Sequence, residues 1–417
     1  MELYETQTET SERVLLVSVD TGEFDVEVSL AELAELAATA GGEVVDTAVQ
    51  KKEAPDKATC LGSGRAEELA LQCRAQDMDL VIVDRELSPT QLRNLEDIFP
   101  CRVIDRTMLI LDIFAGRALS AEGRLQVELA QLQYMLPRLA GQGASLSRLG
   151  GGIGTRGPGE SKLESDRRHI RRRIGAIREQ LQKVESQRLQ RRARRRKDGI
   201  PTVALVGYTN AGKSTLLNYL TDAGVLAEDK LFATLDPTAR ALKLPDGREV
   251  MLVDTVGFVR RLPHQLVKAF RSTLEEAVEA DVLVNICDAS SPHAAEHLQV
   301  TGDLLRELGC GEHPIIRVMN KCDLVPDIQP ERDHPAVCIS ARTGVGIEVL
   351  LQAIAAALPP DRRRVQLLLP YSQGALAERC RRDGQVEQEA YVPEGISMTV
   401  ILGARLLAET EPYQVEE

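Results

Sequence analysis

GYTNAGKST, residues 207–215, sets the reading of the whole chain. It fits the pattern G-x-x-x-x-G-K-[ST], with Gly207, Gly212, Lys213 and Ser214 in register. The apolar run TVALV (202–206) predicts a buried strand before it, and STLLNYL (214–220) predicts the start of a helix after it. A glycine-rich loop between strand and helix turns successive N–H groups, and the helix N-terminus, toward an anion. Lys213 is expected at the β- and γ-phosphates of a nucleotide, and the Ser214 hydroxyl on Mg2+. Tyr208, Thr209, Asn210, Ala211 and Thr215 complete the expected phosphate-binding stretch. A plain structural turn is the alternative, and the segments downstream decide against it.

REVMLVDTVGF (248–258) places Asp254, Thr255, Val256 and Gly257 at a strand end as D-x-x-G. The aspartate reaches Mg2+ through water, and the Gly257 amide is placed to sense the γ-phosphate. After the strand IIRVM (315–319), Asn320, Lys321, Cys322 and Asp323 form N-K-x-D. A carboxylate there accepts both donors of the guanine Watson–Crick edge, a donor pair that adenine lacks. CISAR (338–342) adds Ser340, Ala341 and Arg342, with the Ala341 amide expected at the guanine O6. Order and spacing suit a nucleotide domain of about 160 residues, and the nucleotide is read as GTP. The remaining switch, LFATLDPTAR (231–240), must supply a threonine to the Mg2+ shell, and Thr234 and Thr238 are both candidates.

At 417 residues the chain is too long for one core. Its 51 basic and 63 acidic residues leave a net charge of −12, so bulk charge argues against nucleic-acid binding, and a basic patch must be local. The eight cysteines include no C-x-x-C pair, which points to reduced thiols rather than a disulfide or zinc framework. The polar, acidic start lacks an apolar h-region, and no apolar run is long enough to span a bilayer. A cytoplasmic protein is expected, and a monomeric one.

Residues 1–118 alternate strand and helix: RVLLVSV (13–19), a helix from Ser29 as N-cap, EVVDTAVQ (43–50), a helix after Cys60, LVIVD (80–84), SPTQLRNLEDIF (88–99), CRVID (101–105) and TMLILDIFAGRA (107–118). Such alternation predicts a small parallel α/β domain. The turn at Gly62, Ser63 and Gly64 is read as structural, since a lone G-x-G is weak.

Residues 119–198 change character. Leu125, Leu129, Leu132 and Leu136 recur at helical spacing, and a glycine-rich loop follows at 147–161. Ile170, Ile174, Ile177, Leu181 and Val184 then give a second helix one apolar face, while its other faces carry Arg167, Arg168, Arg171, Arg172, Arg173, Arg178 and the run 191–197. A helical hairpin with a mobile glycine tip is expected. Arginine concentrated on one rod, with Arg148 and Arg156 at the tip, is read as an RNA-contacting face over a merely solvated one. Lacking interleaved aromatics, it suits structured RNA read through its backbone. Residues 199–358 form the expected GTPase domain, and 359–417 read strand, helix, strand, strand, a small α+β domain. The fold class is therefore α/β and multidomain.

The glycine loop GGIGTRGPGESKLESDRRHI (151–170), the switch FATLDPT (232–238) and DTVGFVRRLPHQLVKAFRSTLEEA (254–277) together resemble the HflX family of ribosome-associated GTPases, relatives of Obg. The resemblance runs from about residue 13 to at least 358. It implies that Thr234 is the switch threonine, and that Phe232, Ala233, Thr234, Leu235 and Asp236 face the nucleotide. With Lys213 and Gly257, Thr234 then makes the catalytic set; with Ser214 and Asp254, it makes the Mg2+ set. It also implies binding to ribosomal RNA of the large subunit through 147–198, with splitting or rescue of stalled ribosomes under stress. Ser161 stands where the family often has threonine, and the hydroxyl is retained.

Phe258 follows D-x-x-G where Ras-like enzymes place a water-orienting glutamine, so intrinsic turnover is expected to be slow. Asn210 either ligates K+ beside the phosphates, as in similar GTPases, or braces the loop. His264 and Arg271 follow on the second switch, the histidine read as structural or ribosome-facing. Two rival functions stand beside GTP hydrolysis: a nucleotide-gated binding switch with incidental turnover, and ATP-dependent RNA remodelling through 62–65 and the rod.

Overall fold

The computed structural model describes residues 11–139, 158–198, 200–221, 231–232, 234–263, 276–325, 336–358 and 362–415. Two compact units emerge. The first comprises Met1–Gln182 with the segments Glu228–Asp236 and Gly257–Ser272. The second comprises Lys183–Ala227, Pro237–Val256 and Thr273–Glu417.

The first unit is built on β1 (Glu12–Asp20), α1 (Val26–Thr39), β2 (Gly42–Lys51), α2 (Ser63–Ala75), β3 (Leu80–Val83), α3 (Pro89–Ile98), β4 (Arg102–Asp105) and α4 (Arg106–Arg117). Its sheet is wholly parallel in the order β2-β1-β3-β4. Val14, Leu15, Leu16 and Val17 are all fully buried, as expected where helices cover both faces of a parallel sheet. That is why these strands read as unbroken apolar runs.

Two local details differ from the expectation. Helix α1 starts at Val26, capped by the Asp25 carboxylate, which accepts from the N–H groups of Glu27 (3.0 Å) and Val28 (3.2 Å). Ser29, expected as the cap, is buried, and its hydroxyl donates to Asp84 Oδ2 at 2.6 Å. A carboxylate serving two orphan amides caps more strongly than one hydroxyl. Helix α3 does start as its sequence predicts, with a capping box between Ser88 and Gln91 and Pro89 in the first turn.

Helices α5 (Ala121–Arg138) and α6 (Pro158–Asp198) follow, and the residues between them lie outside those described. On α5 the fully buried stripe is Gly123, Val127, Ala130 and Tyr134, while the leucines at 125, 129, 132 and 136 are half-buried beside it. Tyr134 wins the inner position because its hydroxyl donates to the buried Asp105 carboxylate at the end of β4. Helix α6 runs for 41 residues and starts inside the expected loop, with Pro158 suited to a first turn. Ile174 and Ile177 are buried, whereas Arg168, Arg171, Arg172, Arg173 and Arg178 are exposed. Arg173 makes a two-pronged bond to Glu128 on α5 at 2.6 and 2.8 Å. Arg148, Arg156 and the rest of the glycine tip up to residue 157 lie outside the described residues.

The second unit holds a six-stranded sheet of order β10-β9-β8-β5-β7-β6. Its strands are β5 (Thr202–Gly207), β6 (Thr238–Lys243), β7 (Glu249–Asp254), β8 (Val282–Asp288), β9 (Ile315–Asn320) and β10 (Val337–Cys338). All pair in parallel except β6, which runs antiparallel on β7. Helices α7 (Lys213–Thr221), α8 (Ala294–Glu307) and α9 (Ile347–Ala357) flank it. Val203, Leu205, Leu216, Leu252, Val284 and Leu350 share one core. A small terminal module follows, with an antiparallel sheet of order β11-β13-β12. It contains β11 (Arg362–Leu369), α10 (Gly374–Asp383), β12 (Gln385–Val392), β13 (Gly395–Gly403) and α11 (Ala404–Thr410). The architecture is α/β and multidomain, with a terminal α+β module, as the sequence predicts.

Candidate functional site

Parallel strands of the second unit end together, and the loops leaving β5, β7, β9 and β10 carry the motif residues. The loop after β5 needs its glycines. Gly207 has φ 147° and a Cβ there would stand 2.1 Å from the Ile286 carbonyl oxygen. Gly212 has φ 91° and a Cβ would meet Asn320 Nδ2 at 2.2 Å. Asn210 adopts φ 59°, a left-handed backbone that asparagine tolerates better than most residues.

Lys213 is buried, and its Nζ donates to the carbonyls of Gly207 (3.2 Å) and Tyr208 (2.8 Å). Burial lowers its pKa to about 8, against the opposing pull of the Asp254 carboxylate. Ser214 Oγ donates to Asp254 Oδ2 at 2.7 Å, joining the loop after β5 to the end of β7. Neighbouring Thr255 donates to the Leu205 carbonyl at 2.7 Å, which fixes the strand end rather than facing outward. Thr209 Oγ1 is buried and makes no hydrogen bond among the described residues. Tyr208 stacks on His297 of α8, centroids 3.8 Å apart and planes 8° from parallel.

Asn320 does more than its motif implies. Its Nδ2 donates to the Ala211 carbonyl at 2.8 Å, and its Oδ1 accepts from the Ala341 amide at 2.9 Å. One buried side chain thus ties three loops together. Lys321 has φ 63°, and its Nζ pairs with Asp288 at the end of β8 at 2.7 Å. Burial raises the Asp288 pKa, and the bonds from Lys321 and Ser290 outweigh it, leaving the carboxyl below its usual range. Asp288 and His297 were not singled out in the sequence; an aspartate closing a parallel strand was the available signal for the first. Asp323 and Arg342 are exposed, and Ser340 is buried, its hydroxyl accepting from the Thr343 amide at 3.1 Å. Thr238 opens β6 and pairs in register with Asp254.

Residues 231–236 of the first switch and 257–272 of the second belong to the first unit, and 237–256 to the second unit. Phe232 is buried edge-on against Phe114 of α4, ring centroids 4.6 Å apart. Thr234 and Leu235 are buried, and Ala233 lies outside the described residues. The Asp236 carboxylate accepts from the amides of Leu119 (2.9 Å) and Ser120 (2.7 Å) and from the Ser120 hydroxyl. Gly123 makes room for it, since a Cβ there would come within 2.4 Å of Asp236 Oδ1. In the other switch, Phe258 and Val259 are buried, and Arg106 donates to the Arg260 carbonyl at 3.1 Å. Arg261 donates to Asp84 Oδ1 at 2.7 Å and stacks 3.8 Å over the Phe24 ring. Arg106 shares that carboxylate at 3.0 Å and pairs with Glu32. His264 and Arg271 lie outside the described residues.

A six-stranded sheet with a phosphate loop, D-x-x-G, N-K-x-D and S-A-R at its strand ends defines a P-loop GTPase. Residues 27–115 match the family described as GTP-binding GTPase N-terminal, 117–195 the GTP-binding GTPase Middle Region, and 202–321 the 50S ribosome-binding GTPase. The chain is 53% identical over 387 residues to GTPase HflX of Caldanaerobacter subterraneus subsp. tengcongensis, covering 93% of this chain and 90% of that one. It is 43% identical over 419 residues to GTPase HflX of Escherichia coli, covering 98% of each. The chain belongs to the HflX GTPase family, and it is a GTP hydrolase. A GTP-binding protein from Sulfolobus solfataricus, crystallised with GDP, superposes with a TM-score of 0.44 at 25% identity, covering 83% of this chain and 98% of that one. Among the described residues no helix is long and apolar enough to cross a membrane.

Proposed function

We propose that this GTPase couples its nucleotide state to the large ribosomal subunit, hydrolysing GTP to GDP and phosphate as it splits or rescues stalled ribosomes. The observation that carries the ribosomal part is the exposed arginine face of α6 in a chain of net charge −12. Arginine planes suit phosphate and base stacking alike. The match of 202–321 to a 50S ribosome-binding GTPase supports the same partner. The working division is 1–118, 119–198, 199–358 and 359–417, with 147–198 as the RNA-facing part, the protein acting as a cytoplasmic monomer.

In the nucleotide site, residues 207–215 wrap the phosphates. Lys213 moves from two loop carbonyls to the β- and γ-phosphates, trading neutral partners for charged ones. Thr209 Oγ1 gains the partner that its burial otherwise denies it. Ser214 and Asp254 bring two buried oxygens together beside a single carboxylate, which fits a hard cation that keeps water and phosphate oxygens in its shell. Ser214, Asp254 and Thr234 are the residues that would hold Mg2+, which would supply charge neutralisation for the β- and γ-phosphates. Asp323 reads the guanine edge and Asn320 holds the loops around it; the Ala341 amide, which donates to Asn320 Oδ1 at 2.9 Å, must turn from it or share its one hydrogen to meet the guanine O6. Gly257 reports the γ-phosphate, and Asn210 is the proposed K+ ligand. Phe258 cannot orient the attacking water, so the ribosome is the proposed source of faster turnover.

Co-sedimentation with separated small and large subunits, using a non-hydrolysable GTP analogue, tests the partner. Retention on large subunits with GTP turnover rising upon their addition supports the proposal. Retention without stimulated turnover would instead favour a binding switch.

A further inference from the structure

We propose that Cys322 and Cys338 form a reversible disulfide that ties the two guanine-reading loops together and weakens guanine-nucleotide binding. The affinity half of this proposal rests on reading residues 320–323 and 340–342 as the base reader. Cys322 is the third residue of N-K-C-D, and Cys338 closes β10 two residues before Ser340. Strand β10 lies parallel to β9 with Cys338 in register with Met319. The Cys322 amide donates to the Ile339 carbonyl at 3.1 Å, so the backbones around both cysteines are bonded to each other. The Cys322 sulfur lies 3.1 Å from the Met319 carbonyl, which also accepts from the Ile339 amide at 2.8 Å, so it sits beside the peptide that follows Cys338. Both residues are free thiols and half-buried, which leaves them open to a small reagent.

Closure joins the two sulfurs by a bond of about 2.05 Å. Joining them has consequences because of what flanks Cys322. Cys322 Sγ now donates to the Met319 carbonyl at 3.1 Å, next to Asn320, and that bond is lost when the thiol hydrogen goes. Asp323 is peptide-bonded to the displaced residue, and its carboxylate must meet two guanine donors in one plane.

The oxidant is a low-molecular-weight disulfide. A Cys338 thiolate attacks one of its sulfurs, forming a mixed disulfide and releasing one small thiolate. Cys322, once its proton has passed to water, attacks Cys338 Sγ and expels the second. The protein loses two thiol hydrogens and two electrons, and the reagent becomes two small thiols. Burial, then Cys338, push the Cys322 thiol up to about 11, so the closing step is slow at neutral pH and accelerates as pH rises.

The test uses the full chain in glutathione buffers of graded oxidation, with peptide mass mapping and fluorescent-GDP titration. Mapping also separates this link from any formed by the other six cysteines. The expected result is a 322–338 linkage with GDP binding weakened at least ~10-fold, the loss from displacing one charge-assisted bond, and restored by dithiothreitol. Cys338→Ser should bind GDP normally when reduced and lose the response. No 322–338 linkage under the most oxidising buffer overturns the proposal, a result the wild-type chain gives without any variant. Linkage with unchanged affinity overturns its regulatory half, provided Asp323→Asn has altered base choice. If Asp323→Asn leaves base choice intact, the base-reader reading falls and takes the affinity claim with it, while the mass map still decides the linkage.

Discussion

Asp323 and Lys213 are single groups with separate proposed roles. Asp323 is exposed, so replacing it leaves packing intact and tests its proposed role in base recognition. Asp323→Asn puts a donor where an acceptor faced the guanine edge. We expect preference to move from GTP toward xanthosine triphosphate, measured by competition for a fluorescent guanine nucleotide. Lys213 is buried, with a folded pKa of about 8 against an ordinary 10.5. Between those values the unfolded chain holds the proton and the folded chain does not, so stability rises with pH across that window. Below about 8 both states are protonated and the penalty of a buried ammonium is fully present. Denaturation of the nucleotide-free protein should therefore show a gain on the order of 3 kcal/mol between pH 8 and 10.5, by the size of the shift. Lys213→Met should abolish that component of the gain.

At the scale of elements, two charged assemblies behave in opposite ways. The fully buried Asp84 carboxylate, at the end of β3, serves Arg106 from α4 and Arg261 from the second switch. Removing it leaves Arg261 without its carboxylate and Arg106 with Glu32 alone, so Asp84→Ala should cost on the order of 3 kcal/mol. Urea denaturation measures it, and a cost below about 1 kcal/mol would mean water already serves the two guanidiniums. Arg168, Arg171, Arg172, Arg173 and Arg178 of α6 stand in solvent instead. Replacing Arg171, Arg172 and Arg173 with Glu should barely change stability but should remove much of the salt dependence of large-subunit binding, because arginines that neutralise phosphates release condensed counterions. The pair between Arg173 and Glu128 is exposed and contributes little to this balance.

For the whole molecule, the phosphate loop falls in one compact unit and residues 231–236 and 257–272 of the switches in the other. The isolated segment 199–358 carries the phosphate loop and the residues proposed to read the base. We expect it to bind GDP as the full chain does, by titration, and to show no turnover response to large subunits once 1–198 is removed. A response that survives the truncation would place the ribosome contact within 199–358.

Much of this was legible along the chain because it depends on short-range chemistry. Gly207 and Gly212 announce a loop only glycine can make, and the parallel sheets announce themselves as apolar runs covered on both sides. Asp323 falls in the short turn Cys322–Leu324 after β9, a local feature that four consecutive residues can announce. The sequence by itself determined the GTPase class, the family and the α/β architecture. Tertiary structure alone decided which polar groups meet across long separations. Nothing local marks Asn320 as the brace between Ala211 and Ala341, Asp288 as the partner of Lys321, or Asp236 as a carboxylate held by Leu119 and Ser120. Nor could spacing choose Asp25 over Ser29 as a cap, because the choice depends on Asp84 claiming the serine hydroxyl from 55 residues away. Hydrophobic periodicity reports one element's face, whereas a buried hydrogen bond is fixed by whichever distant group the fold delivers to it.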